Sequence, residues 1–463
     1  MRRQIILLFQ KEKKMQVKTS DERTAVLDKI TDLLDPGSFM EMGERVAARF
    51  TEFYHPDSVV ESDGVVTGYG TVNGNLVFIY AQDNEVMGGT FGEQHGRKIV
   101  DLYEHAIKAK APVIGLLDCA GFRIEEGLDG LYQFAKLYKR QTEASKRIPQ
   151  IVAVIGQCGG GMSIAAQLAD FVYIEKDKGS IFVNPQGVVG NAIGDNPYVM
   201  SLDDGTFEWP EIVENIRQVI DILPSSSDFA PDILEVSDEE LNRSCEGIEE
   251  MLGDAKAILR ELSDDGKLLE CRCTRGRSMF TGFIRIAGMP VGVVACNEFE
   301  GRKRISAAGC NKAAKLIDLC TRFHIPLLTI TDTEGYKTDS ETEAFLPSAA
   351  ERMLRALTAS DVPKFNLVTG SIVGSAYSMM NSKGLGADYV FMWDTANVSI
   401  VDPRQATEVI FGTWTSELEQ QYRDTQSSAV ALARHGFVDK VIAPEDSRKY
   451  LIGALQTFVN AGR

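Results

Sequence analysis

Alternating and helically spaced apolar positions divide most of the chain into short strand and helix units. Residues 65–83, VVTGYGTVNGNLVFIYAQD, alternate on either side of Asn73-Gly74, a pair favoured in two-residue turns, and predict a β-hairpin. HGRKIVDLYEHAIKAK (95–110) then carries apolar residues at three-to-four spacing, the pattern of a helix lying on a sheet. APVIGLLD (111–118) is a short apolar run led by proline and predicts a buried strand. A glycine-bearing loop, a long helix, a second proline-led strand (PQIVAVIG, 149–156), a small-residue loop and another helix follow.

The same order then recurs. Thr67-Gly68-Tyr69 matches Thr281-Gly282-Phe283, 214 residues on, and Gly74/Gly288, Lys98/Lys312, Pro112/Pro326, Asp118/Asp332, Gly121/Gly335, Pro149/Pro363 and Gly160/Gly374 keep that spacing. After a four-residue insertion, Ala169-Asp170 meets Ala387-Asp388. Glycine and proline mark backbone geometry rather than packing, so matches of this kind held in register imply two copies of one fold. Short apolar strands alternating with helices make each copy α/β, with parallel strands covered by helices. The acidic stretch 205–265 lies between the copies. The expected organisation is a disordered extension over 1–14, a first domain over 15–255 and a second over 256–463.

Composition narrows the class. Apolar residues are 44% and charged residues 25%, the balance of a globular protein. No apolar run approaches the ~20 residues of a membrane helix, and the Ile5–Phe9 patch is too short for a signal-peptide core, so the expected location is the cytoplasm. A net charge of −17 excludes attachment to nucleic acid through the overall field, and leaves an anionic ligand to local basic groups or backbone amides. The eight cysteines contain no CxxC pair, so reduced thiols and no metal site are expected.

The loops that end the paired strands carry the candidate chemistry. They are CAGFRIEEG (119–127) and QCGGGMSIAA (157–166) in the first copy, and TEGYKTD (333–339) and SIVGSAYSMM (371–380) in the second. Small residues at a strand end before a helix expose backbone N–H groups, and two such loops side by side would aim them at one oxygen, as an oxyanion hole does. A lone glycine run also serves merely to let a helix pack close to a strand; the recurrence of both loops in both copies favours binding. GxSxG, GxxxxGK[ST] and HExxH are absent, and His95, His105 and His324 read as packing or solvated residues. Chemistry without a side-chain base leaves the base to a cofactor or the substrate.

With GGTFGEQHGRKI (88–99), the RIxEG loop, IPQIVAVIGQCGGGMSIAA (148–166), IPLLTITDTEGY (325–336), VPKFNLVTGSIVGSAYSMM (362–380) and ATEVIFG (406–412), the chain resembles the carboxyltransferase subunits of biotin-dependent acyl-CoA carboxylases and decarboxylases over roughly residues 20–463. The resemblance implies two tandem crotonase-type domains built from ββα units. It implies carboxyl transfer between N-carboxybiotin on a separate carrier protein and a coenzyme A thioester, in either direction. Its oxyanion residues fall at Gly160 and Gly161 facing Gly121 and Phe122 on the acyl-CoA side, and at Gly374 and Ser375 facing Gly335 and Tyr336 on the biotin side. Ala120, Met162 and Ala376 join the ligand contacts, Ser378 occupies a position that tunes acyl size, and Arg97 and Lys98 belong to a basic cluster for the CoA phosphates. Implied partners are a biotin carrier, a biotin carboxylase or membrane decarboxylase subunit, and further copies of the chain in a hexamer. Local departures, Glu334-Gly335-Tyr336-Lys337-Thr338-Asp339 above all, keep two alternatives open: a biotin-free acyl-CoA hydratase or hydrolase, and a non-catalytic scaffold of a carboxylase complex.

Overall fold

The computed structural model describes residues 24–53, 59–184, 203–338 and 343–459. The extension expected over 1–14 lies outside them. The chain divides into two units, one running to residue 193 and taking in Thr206–Asp221, the other holding residues 194–205 and Ile222 onward. The sequence assigns residues 222–255 to the first domain; their backbone partners lie in the second unit, where Leu234 N–H donates to Gly288 O (3.1 Å) and Cys245 N–H to Glu445 O (3.0 Å). Among the described residues, no helix is long and apolar enough to cross a membrane.

Each unit is built on an eight-stranded sheet. In the first, β1 (Met40–Met42), β2 (Val65–Val72) and β3 (Asn75–Gln82) are antiparallel, and β4 (Val113–Cys119), β5 (Gln150–Gly159) and β6 (Phe171–Glu175) continue in parallel. β7 (Ser180–Phe182) also pairs with β5, and β8 (Gly205–Phe207) ends the sheet. The second unit repeats the design with β9 (Leu268–Glu270), β10 (Met279–Ile286), β11 (Met289–Cys296), β12 (Leu327–Thr333), β13 (Lys364–Val373), β14 (Tyr389–Trp393), β15 (Asn397–Ser399) and β16 (Lys440–Ile442).

The repeat is a repeat of specific bonds. Asn73-Gly74 and Ala287-Gly288 both turn with positive φ, and each turn is capped by one aspartate. Asp35 accepts from the N–H groups of Asn73 and Gly74, and Asp264 from those of Ala287 and Gly288. Pro112 and Pro326 supply carbonyls to the neighbouring strand, accepting from Phe78 and Gly292 N–H. Asp170 and Asp388 anchor the start of β5 and β13, accepting from Gln150 N–H (2.9 Å) and Lys364 N–H (2.7 Å).

One irregularity places the chemistry. β4 and β5 run in register to Leu117 opposite Val154, but Cys119 then faces Cys158. β12 and β13 make the same slip between Thr331 opposite Val368 and Thr333 opposite Ile372. In each slip a carboxylate sits against a glycine. A Cβ at Gly156 would fall inside the Asp118 carboxylate, and one at Gly370 inside that of Asp332. Asp118 accepts from Gln157 N–H and Asp332 from Ser371 N–H, both at 3.0 Å. The carboxylate thereby replaces the missing ladder bond and bows the longer strand. Gly156→Ala should therefore cost roughly 1–3 kcal/mol, the usual penalty for overpacking. Chemical denaturation measures it; an unchanged midpoint would show that the slip does not depend on the glycine.

Candidate active site

Beyond each slip, two strand ends abut. In the first unit a Cβ at Gly159 would lie 3.3 Å from Ala120 O; in the second, a Cβ at Gly335 would lie 3.4 Å from Val373 O. The first loop of each pair is held by the same lacing. Phe91 N–H donates to Gly121 O (2.8 Å) and Arg123 N–H to Phe91 O (3.0 Å), while Ile305 N–H donates to Gly335 O (2.9 Å) and Lys337 N–H to Ile305 O (2.8 Å). This pattern turns the Phe122 and Tyr336 N–H groups away from the strand they pair with. Gly121 (φ 123°) and Gly335 (φ 103°) take backbone angles that side chains disfavour, which is why both positions are glycine.

The second loops decide which N–H groups remain available. Gly160 N–H donates to Phe182 O (3.0 Å) and Gly374 N–H to Ser399 O (2.8 Å). These two residues, expected as donors, instead make the left-handed turn and spend their N–H on β7 and β15. Gly335 N–H is engaged as well, with Thr333 Oγ1 at 3.2 Å. Gly121 N–H is turned to the Cys119 sulfur in the same way, so it too is engaged. Among the described residues, no hydrogen bond is made by the N–H of Phe122, Gly161 or Met162 in the first unit, or of Tyr336, Ser375 or Ala376 in the second. Gly161 and Met162 open the helix Gly161–Gln167, and Ala376 opens the short helix Ala376–Met379, so these are first-turn N–H groups with no intrahelical partner. In the second unit the Tyr336 hydroxyl is hydrogen-bonded to Ser375, joining the two loops, and burial raises its pKa to about 12. The Met162 side chain is buried in the core, while Ser378 is exposed on the outer side of its short helix.

This arrangement repeats in both halves of the chain. Residues 18–206 and 210–463 match the carboxyl transferase domain family. The chain belongs to that family. It is 30% identical to the propionyl-CoA carboxylase beta chain of Roseobacter denitrificans, over 97% of this chain and 93% of the relative. It is 29% identical to the methylmalonyl-CoA decarboxylase subunit alpha of Veillonella parvula, over 96% and 92%. Among solved structures, the hexameric transcarboxylase 12S core with hydrolysed methylmalonyl-coenzyme A bound superposes with a TM-score of 0.87 at 27% identity, covering 94% of this chain and 90% of that one. The two sheets described above are accordingly two repeated crotonase-type domains.

The carboxyltransferase holds its first donor loop with a buried ion network. Arg123 is 1% exposed; its guanidinium donates to Asp63 (2.6 Å), Glu126 (2.7 Å) and Thr90 O (2.8 Å). Glu126 in turn accepts from Glu93 N–H. The RIxEG stretch is thus a strut behind Gly121 and Phe122. His95 belongs to the same network. It is fully buried, its N–H donates to Asp63 (2.8 Å) and its ring contacts Gln82 (3.1 Å), and burial lowers its pKa to about 3, so the imidazole stays neutral.

Lys98 also differs from its expected place among phosphate-binding residues. It is 5% exposed, and its ammonium donates to the carbonyls of Ser62 and Val65 and to the Ser62 hydroxyl. Its repeat partner Lys312 is equally buried and reaches Arg272 O at 3.4 Å. Arg97 alone of that helical pair faces solvent, 3.9 Å from Asp101. Removing the charge of Arg123 would leave Asp63 and Glu126 buried without their cation. Arg123→Gln should cost roughly 3–5 kcal/mol of stability. An unfolding midpoint equal to that of the parent chain would show that the strut is dispensable.

Proposed function

We propose that this carboxyltransferase moves a carboxyl group between biotin on a separate carrier protein and a short acyl-CoA, using unpaired backbone N–H groups in each unit to hold the oxygen on which charge develops. The observation that carries the reading is that both units present such N–H groups at two abutting strand ends. The accompanying side chains, Phe122, Met162, Tyr336 and Ser375, include no base for neutral pH.

In the first unit Phe122, Gly161 and Met162 are the donor candidates for the thioester oxygen. As an α-proton leaves the acyl group, negative charge moves onto that oxygen, and fixed amides need no reorganisation to meet it. Donors of this kind are worth about 3–4 kcal/mol each in the transition state. Biotin supplies the carboxyl group and, once freed of it, a basic ureido nitrogen. A set of N–H donors fits a ureido oxygen, which accepts hydrogen bonds and donates none; Tyr336, Ser375 and Ala376 are the residues that would hold it. Propionyl-CoA and methylmalonyl-CoA, named for the relatives, are the substrates we carry over. A biotin carboxylase or a membrane decarboxylase subunit would complete the system. All eight cysteines are free thiols and seven are buried, in keeping with the cytoplasm as the site of reaction.

Assembly into a hexamer, as in the solved transcarboxylase core, is part of the same proposal. Each unit carries apolar side chains in the open: Ile124 (69%) and Leu128 (79%) in the first, Ile400 (81%) and Val409 (83%) in the second. Exposed apolar clusters of this kind belong to protein contacts.

Ser375 offers a test of the donor assignment. Its φ of −67° already suits proline, so Ser375→Pro removes an N–H with little change of backbone. Turnover of acyl-CoA with biotin should fall about 10²–10³-fold. Ser375→Ala keeps the N–H and loses only the bond to Tyr336, and should stay within about ten-fold of the parent. Equal rates for the two variants would remove Ser375 from the donor set. For the assembly, Val409→Lys should shift the mass measured by light scattering to smaller species; an unchanged mass would take this face out of the subunit contact.

A further inference from the structure

The open N–H groups of Gly161 and Met162 belong to peptides whose carbonyls are engaged at the other side. The Gly160–Gly161 peptide carries the Gly161 N–H, and its carbonyl accepts from the Ser163 hydroxyl (2.7 Å). The Gly161–Met162 peptide carries the Met162 N–H, and its carbonyl accepts from the Tyr138 hydroxyl (2.8 Å). Ser163 sits in the same helical turn, whereas Tyr138 reaches across from the helix Leu128–Ala144. A peptide whose carbonyl accepts a hydrogen bond is polarised along its length, so its N–H becomes a stronger donor.

Tyr138 is itself held. Its ring lies 5.9 Å from that of Phe134, which stacks on Phe91 at 3.8 Å. Phe91 is the residue laced by its backbone to Gly121 and Arg123. The row Phe91, Phe134, Tyr138 thus runs from the first donor loop to the second. Gly161 closes against its far end, where a Cβ would meet the Tyr138 oxygen at 2.8 Å and Phe134 at 3.1 Å. A side chain at 161 would push the hydroxyl off the carbonyl.

Tyr138 is half-buried, with its pKa raised by burial, and such a phenol commonly finds a hydrogen bond somewhere. The second unit shows that this bond is more than that. Ser375 is the counterpart of Gly161, 214 residues on, and it too is held by a tyrosine hydroxyl, that of Tyr336. The two tyrosines are not counterparts. Tyr336 answers to Phe122, and Tyr138 answers to Arg352, whose guanidinium turns instead to Asn311 and Ser348. Each unit holds the same position from a different place in the chain. Duplication explains a repeated residue; it does not explain a repeated hold made by residues that do not match.

We propose that Tyr138 is a positioning residue of the first unit: its hydroxyl fixes the Gly161–Met162 peptide and strengthens the Met162 N–H as a donor to the thioester oxygen. Its place in the reaction rests on the donor assignment above; its hold on the peptide does not. The benefit grows with the charge on that oxygen, so it belongs to the transition state rather than to the bound thioester.

Two measurements on the full chain test this. Glycine labelled with 13C at its carbonyl and methionine labelled with 15N give correlated signals from Gly–Met peptides alone, and the chain has two, Gly161–Met162 and Gly288–Met289. Tyr138→Phe keeps the ring and should move the first signal upfield, the sense of a lost hydrogen bond, while the second stays in place. Carboxyl transfer from methylmalonyl-CoA to biotin should lose about five-fold in kcat with KM unchanged. Tyr132→Phe removes a hydroxyl from an exposed ring of the same helix and should change neither reading. An unmoved Gly161–Met162 signal, an undiminished kcat, a loss confined to KM, or an equal loss in Tyr132→Phe overturns the proposal. A parent chain that gives the Tyr138-dependent shift yet transfers no carboxyl group counts against the donor assignment and leaves the hold on the peptide standing.

Discussion

The space between Asp118 and Gly156, and its copy between Asp332 and Gly370, is where the architecture of both units is decided. Two parallel strands in ideal register would end level and offer ordinary ladder partners. A carboxylate placed where a Cβ should be prevents this, and the longer strand bows around it. The strand then overshoots its neighbour, turns through a left-handed glycine and enters a helix with its first amides unspent. Removing the carboxylate would orphan the N–H of Gln157 or Ser371; adding a side chain to the glycine would displace the carboxylate. Neither half of the device is useful alone, which explains why aspartate and glycine recur together.

Much of this was legible in the sequence because the repeated residues are those with backbone work. Asn73-Gly74 announces its turn, Pro112 and Pro326 lead their strands, and Asp118, Gly121, Gly160 and Asp170 have counterparts doing the same jobs. The identity of the donors was less accessible. The availability of an N–H is settled by its partner, and the partners of Gly160 and Gly374 are carbonyls at Phe182 and Ser399, on short strands with no sequence signature of their own. Lys98 was misplaced because a lysine on an amphipathic helix reads as solvent-facing. Its signal was present in the recurrence as Lys312, since a solvated lysine has no reason to keep register. The boundary at Asp221 was hidden because residues 222–255 are tied to the second unit by partners far along the chain, Leu234 to Gly288, Cys245 to Glu445 and Glu240 to Arg448, which leave no periodic signal in the sequence.

A strongly acidic protein that handles a polyanionic thioester faces an electrostatic conflict, and the structure meets it locally. Backbone amides carry no net charge and do not titrate, so the donors proposed above would keep their state whatever the overall field. Buried charges serve the scaffold instead. Arg123, Asp63 and Glu126 satisfy one another behind the donor loop, and Lys98 is satisfied by carbonyls. The neutral imidazole of His95 completes that network without adding a charge to it.

Duplication gives this scheme its versatility. The two units share every element that sets backbone direction, yet the side chains around the shared donors have diverged. Where the first unit has Ala120 and Phe122, the second has Glu334 and Tyr336 at the equivalent positions, with Arg302 and Arg304 paired to Glu334. An apolar rim suits an acyl chain; a polar, cationic rim suits a ureido ring or an anionic group. In the proposed scheme the donors are amides, so these substitutions would change what each rim recognises without moving the groups that stabilise developing charge. A side-chain catalyst could not be copied this way, since each change of neighbour would shift its pKa. The backbone site proposed here could therefore be duplicated and given two substrates with no pKa to retune.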